Sequence, residues 1–168
     1  NCDACANVCP TRPDSTRTCV ARLCSFTCKA GKGNCNLSPS DGCETDLATS
    51  TQHCGACGRA CPQSNGTVVC VARQCEVTSC ALGYGNCNGI GDDGCETPLD
   101  STSNCGECRA ACSTNHVVTP TCTNRVCGGA CAAGWSDCDA NKLTNGCETN
   151  TATDVANCGG CDVTCASK

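Results

Sequence analysis

The sequence predicts a small disulfide-rich tandem repeat: mostly loops with short β-hairpins, little or no helix, in an elongated rod. Three observations carry this. The 168-residue chain holds 27 Cys. Ile, Leu, Val and Phe together make only about one residue in nine, far below what an ordinary core uses. The cysteine spacing also repeats. A C-x2-C-x3-C triplet stands at Cys2, Cys5 and Cys9, at Cys54, Cys57 and Cys61, at Cys105, Cys108 and Cys112, and at Cys158, Cys161 and Cys165. A Gly-Cys-Glu-Thr signature alternates with it, at Gly42–Thr45, Gly94–Thr97 and Gly146–Thr149.

The order of elements follows from these marks. Repeat one covers residues 1–53, repeat two 54–104 and repeat three 105–157, and residues 158–168 restart the pattern. Each full repeat has eight cysteines; in the second they are Cys54, Cys57, Cys61, Cys70, Cys75, Cys80, Cys87 and Cys95. The segment between third and fourth cysteines (residues 10–18, 62–69 and 113–121) varies most and is expected to be an exposed loop. Fourth and fifth cysteines bracket two-residue turns at Ala21-Arg22, Ala72-Arg73 and Asn124-Arg125, the mark of a hairpin. The best strands are Thr67–Val71 with Gln74–Thr78, and Val117–Thr123 with Arg125–Cys127. Gly31, Gly83 and Gly134 share a column suited to positive φ. No window sustains an apolar helical period.

Crosslinks replace the missing core. Each disulfide restricts the unfolded chain by about 2–4 kcal/mol, and such bonds persist in oxidising compartments, so an extracellular or cell-surface location is expected. Eight cysteines permit about a hundred pairings, and spacing does not choose among them. The odd count leaves at least one thiol without a partner in this chain, as in a window onto a longer repeating polymer or a bond between chains. The net charge of −5 with scattered Lys and Arg argues against a nucleic-acid surface. No apolar run approaches the ~20 residues of a membrane span.

The segments Asn104-Cys-Gly-Glu-Cys and Asp92-Asp-Gly-Cys-Glu-Thr97 resemble the cysteine-rich repeats of secreted or surface proteins of myxobacteria and of some microbial eukaryotes. The resemblance implies an extracellular, disulfide-bonded array and no reaction. Repeat one departs from it, with Asp3 where the other copies have Gly55, Gly106 and Gly159.

The C-x2-C steps read as structural disulfides over zinc thiolates, since only His53 and His116 exist and neither stands at ligand spacing. Asp137, Asp139, Asn141, Asn145 and Glu148 place oxygens as a calcium loop would, but Lys142 stands where an EF-hand needs Gly. The alternative is an Asx-rich turn in which Glu44, Glu96 and Glu148 cap local amides. Asn36-Leu-Ser38 and Asn65-Gly-Thr67 are glycan acceptor motifs, Asn65 the better placed. No nucleophile has a His and acid partner set, so no enzyme and no cofactor is expected. His53 fills a column otherwise held by Asn and reads as structural. Lys32, Tyr84 and Trp135 share a column expected to cover a disulfide or pack on the next repeat.

The expected role is structural: a segment of a fibre, stalk or surface coat, whose partners are copies of itself or continuing repeats. An adhesin or receptor-like binding module is the alternative.

Overall fold

The computed structural model describes residue 2 and residues 8–165. Among the described residues there is no helix, and every strand pairs antiparallel with one neighbour. The chain forms two compact units, Asn1–Cys80 with Asn88–Cys95, and Ala81–Cys87 with Glu96–Lys168.

Three hairpins join the fourth and fifth cysteines. In the first unit, β1 (Ser15–Val20) pairs with β2 (Leu23–Cys28). One pair of dipeptide strands, β3 (Lys32–Gly33) with β4 (Thr45–Asp46), closes the same repeat. The second hairpin pairs β5 (Gly66–Val71) with β6 (Gln74–Cys80). In the second unit β7 (Tyr84–Gly85) meets β8 (Thr97–Pro98), β9 (Asp100–Ser101) meets β10 (Asn104–Cys105), and β11 (Thr121–Thr123) meets β12 (Val126–Gly128). Finally β13 (Trp135–Ser136) pairs with β14 (Thr149–Asn150).

The expected two-residue turns are present. Ala21 and Arg22 have φ of 50° and 67°, Ala72 and Arg73 49° and 73°, and Asn124 and Arg125 51° and 64°. Positive φ at both central residues is the type I′ geometry that matches strand twist. Only Asn124 favours it intrinsically; elsewhere the crosslinked cysteines on either side hold the turn. Gly31, Gly83 and Gly134 take φ of 81°, 89° and 80°, as their column requires.

Two strand expectations shift. The third hairpin is three residues per strand, and Val117 contributes only an isolated bridge to Cys131. Pro120 has no N–H to donate, and Gly129 turns the chain at φ 126°, so the ladder cannot extend. The segments expected as wholly exposed loops are exposed only in part. Val68 is buried inside β5, and Val117 is buried as well.

The interior is sulfur. In the second repeat the buried cluster is Cys54, Cys61, Cys70 and Cys75 around Val68. Thirteen disulfides take up every described cysteine, with Cα–Cα separations of 5.0–5.7 Å. Cys5 lies outside the described residues.

Candidate functional site

One connectivity occurs three times. The first cysteine of a triplet bonds the fourth, the third bonds the fifth, and the sixth bonds the eighth. In the second repeat these are Cys54–Cys70, Cys61–Cys75 and Cys80–Cys95. The first repeat has Cys2–Cys19, Cys9–Cys24 and Cys28–Cys43, and the third has Cys105–Cys122, Cys112–Cys127 and Cys131–Cys147. The seventh cysteine reaches forward to the second cysteine of the next triplet: Cys35–Cys57, Cys87–Cys108 and Cys138–Cys161. A covalent bond thus crosses each sequence boundary at 53/54, 104/105 and 157/158.

The triplet is shaped to receive its hairpin. Fourth and fifth cysteines stand opposite each other, Cys70 facing Cys75 and Cys122 facing Cys127. The Sγ atoms of Cys54, Cys61 and Cys75 lie within 4.8 Å of one another, as do those of Cys105, Cys112 and Cys127. A Cβ on Gly55 would come 2.7 Å from the Arg73 carbonyl oxygen, and one on Gly106 2.8 Å from that of Arg125. Glycine after the first cysteine therefore lets the hairpin turn close on the triplet. The residue before the triplet caps it. His53 Nδ1 accepts from the Gly58 amide at 2.8 Å, Asn104 Oδ1 from Arg109 at 2.7 Å, and Asn157 Oδ1 from Asp162 at 2.8 Å. His53 thus does an asparagine's work.

Gly-Cys-Glu-Thr has a residue-by-residue explanation. Gly42 and Gly146 sit at φ 88° and 75°, where a Cβ would come 2.5 Å from the Pro13 and 2.4 Å from the Asn115 carbonyl oxygen. The cysteine amides bond those same oxygens, Cys43 to Pro13 at 3.1 Å and Cys147 to Asn115 at 2.8 Å. Glu44 accepts from the Cys35 amide at 2.8 Å, Glu96 from Cys87 at 3.0 Å and Glu148 from Cys138 at 2.9 Å. The threonine hydroxyl donates to the same carboxylate at 3.0, 2.8 and 2.9 Å. Glu44's own amide and that of Cys35 hold its carboxyl below the ordinary carboxylate range. Burial pushes Glu148 up, but its own amide and that of Cys138 outweigh this and leave it low. This is amide capping, and its cysteine-amide and threonine contacts recur in all three copies.

The calcium-loop residues gather but are occupied with one another. Oxygens of Asp137, Asp139 and Glu148 lie within 4.8 Å of each other. The Asn141 amide donates to Asp137 at 3.1 Å and to Asp139 at 3.0 Å, and Lys142 Nζ lies 3.0 Å from Asp137. Burial raises Asp137, yet Lys142 and the Asn141 amide together leave it below its usual range. Asn145 Nδ2 donates to Asp139 at 2.7 Å. That clasp has equivalents in Asn36 donating to Asp41 and Asn88 to Asp93, both at 2.7 Å. The third copy has exchanged amide and carboxylate across one contact. The Asp139–Asn145 contact in this acidic loop is thus the third version of an Asn–Asp clasp, and Lys142 adds a cation beside Asp137.

The Lys32/Tyr84/Trp135 column is not a row of aromatics. Trp135 stacks on His116 with ring centroids 3.4 Å apart and planes 7° off parallel. Lys32 pairs with Asp46 at 3.3 Å and Asp14 at 3.6 Å. Asp14 and His116 both sit at positive φ (47° and 50°) ahead of the hairpin, so one contact is filled by an ion pair in the first repeat and a ring stack in the third. Both partners of each pair lie within one repeat, so of the two expectations, covering a disulfide or packing on the next repeat, these contacts do not show the second. Pairwise exchange of this sort is invisible when each column is read alone.

Both glycan acceptor residues are exposed. Asn36 Nδ2 is committed to Asp41 in the clasp, whereas Asn65 Nδ2 makes only a 3.3 Å contact to the Cys95 carbonyl. No described helix is long and apolar enough to cross a membrane. The chain matches no family model, no curated protein and no solved structure. Its dense disulfides are those of a disulfide-scaffolded structural or binding module of an oxidising compartment.

Proposed function

We propose that this chain is a segment of an extracellular structural array, a fibre, stalk or surface coat built from end-to-end repeats of this kind. The observation that supports it most is the forward bond from seventh to second cysteine, made three times. A ligand-binding bead gains nothing from a crosslink at every repeat boundary. A load-bearing or protease-resistant strand does, because a cut in one loop leaves its ends joined. The rod expected from the tandem order belongs to this reading, as does the absence of any catalytic activity. So does the relation to secreted repeats of myxobacteria and microbial eukaryotes. A glycan on Asn65 would project from the tip ahead of β5 without breaking a clasp, and Asn65 is the acceptor this reading favours over Asn36.

Electron microscopy of the native material tests it. Filaments whose subunit carries this segment are expected. Dispersed monomers holding a stoichiometric soluble ligand would overturn the reading in favour of an adhesin or receptor module. Intact mass before and after glycosidase treatment checks Asn65.

A further inference from the structure

The loop around the seventh and eighth cysteines gathers more negative charge in the third repeat than in the others. In the first repeat its four recurring oxygen-bearing positions hold Asn34, Asn36, Asp41 and Glu44, two carboxylates, and the second repeat has the same composition. In the third they hold Asp137, Asp139, Asn145 and Glu148, three carboxylates. One oxygen each from Asp137, Asp139 and Glu148 lies within 4.8 Å of the other two. Oxygens bound to one Ca2+ at about 2.3–2.6 Å can be no farther apart than about 5 Å, so the three stand at the spacing of ligands that share an ion.

Clustered acids are common without an ion; two buried atoms set this loop apart. Glu148 Oε2 and Asn145 Oδ1 are sealed from solvent and have no hydrogen-bond partner. Glu148 has spent its other oxygen on the Cys138 amide and the Thr149 hydroxyl, and Asn145 has spent its Nδ2 on Asp139. A buried acceptor of this kind is costly unless something donates to it or ligates it. The Asp137 side chain is itself only 9% exposed. Asn34 Oδ1, in the same column as Asp137, is likewise buried and unpartnered. The spare oxygen thus belongs to the loop, and the third repeat adds the charge. Lys142 offsets one of the three negative charges.

We infer that Asp137, Asp139, Asn145 Oδ1 and Glu148 Oε2 form a calcium site. Every donor is oxygen, and Cys138 and Cys147 are tied in disulfides, so a hard cation is selected over zinc. A flexible loop of carboxylates suits Ca2+ better than Mg2+, which demands near-octahedral geometry. Asp139 is exposed and gives the entry side, where water completes the six to eight oxygens of the ion. The ion takes the place of Lys142 beside Asp137, and the flexible lysine stem carries its ammonium into solvent. This site does not rest on the array reading.

Calorimetric titration of the whole, disulfide-intact, chelator-treated chain with CaCl2 tests it. One site is expected, with a Kd on the order of 10⁻⁴–10⁻³ M, the range of extracellular modules. Hydrogen exchange should show calcium-dependent protection centred on residues 137–148. Lys142→Gln should tighten binding about threefold by removing the competing cation. The triple change Asp137→Asn, Asp139→Asn and Asn145→Asp rebuilds the clasp of the first two repeats, so the fold is kept while one carboxylate is lost. It should weaken binding about tenfold. No saturable binding up to about 10 mM CaCl2, equal affinity for MgCl2, protection elsewhere in the chain, or a triple variant that binds like the parent would overturn the inference. A Lys142→Gln variant that binds more weakly than the parent would overturn it as well.

Discussion

The hairpins of the second and third repeats hold the same two bridges with unequal amounts of sheet. β5–β6 pairs along six or seven residues and buries Val68, while β11–β12 pairs along three. Yet Cys54–Cys70 and Cys105–Cys122 have the same Cα separation of 5.7 Å, and the triplet glycine meets the turn carbonyl at 2.7 and 2.8 Å. The lesson is that the crosslinks and the glycine contact position the hairpin, and the ladder grows as far as local residues permit. Pro120 and Gly129 stop it early in one case. In the other, the β-branched run Thr67, Val68 and Val69, with Val71 beyond it, lets it run, with one register shift at Thr67/Val68.

Removing the bridge should therefore expose the difference most strongly. Replacing Cys105 and Cys122 by Ser should cost about 3 kcal/mol and abolish amide protection throughout β11–β12, read by hydrogen exchange. The same change at Cys54 and Cys70 should cost a similar amount but leave residual protection in β5–β6. Equal loss in both would mean that sheet length contributes nothing. Next in size is the glycine contact. Gly106→Ala should cost about 2 kcal/mol, from positive φ plus the approach to the Arg125 carbonyl, whereas Gly159→Ala should cost only the strain, about 1 kcal/mol. Thermal melts of the two variants check the order.

Much of the frame was legible in the residues. Cysteine spacing announced the hairpins, Ala72-Arg73 and its counterparts marked the turns, and the glycine columns marked positive φ. The pairing was not legible, because sequence separation carries no information on which sulfurs meet. Nor could the seventh-to-second bond be read, since it joins residues that the repeat boundary assigns to different copies. The site residues divide the same way. Glu44, Glu96 and Glu148 cap amides as their recurrence implied. The Asp139–Asn145 clasp was hidden because its amide and carboxylate are exchanged relative to Asn36–Asp41. The Lys32 and Trp135 contacts were hidden by the same kind of paired exchange.

Acid sharpens the contrast among the clasps. Asp41, Glu44, Asp137 and Glu148 all sit below their ordinary values. A carboxylate whose folded pKa is depressed contributes stability above its unfolded pKa, near 4, and loses it as pH falls through the folded value. Amides of Cys35 and Cys138 should lose hydrogen-exchange protection below about pH 4, while the disulfides keep the repeats folded. Unchanged protection down to pH 2 would remove the capping role. The smallest effect concerns the triplet cap. His53→Asn should stay within about 0.5 kcal/mol of the parent, and His53→Ala should cost about 1 kcal/mol by orphaning the Gly58 amide.

Non-reducing proteolysis followed by mass mapping of the linked peptides addresses the central claim most directly. The account requires Cys54–Cys70, Cys61–Cys75 and Cys80–Cys95 within the second repeat, and Cys35–Cys57 and Cys87–Cys108 across its two borders. Bridges confined within each repeat, or any of these ten cysteines recovered as a free thiol, would contradict it.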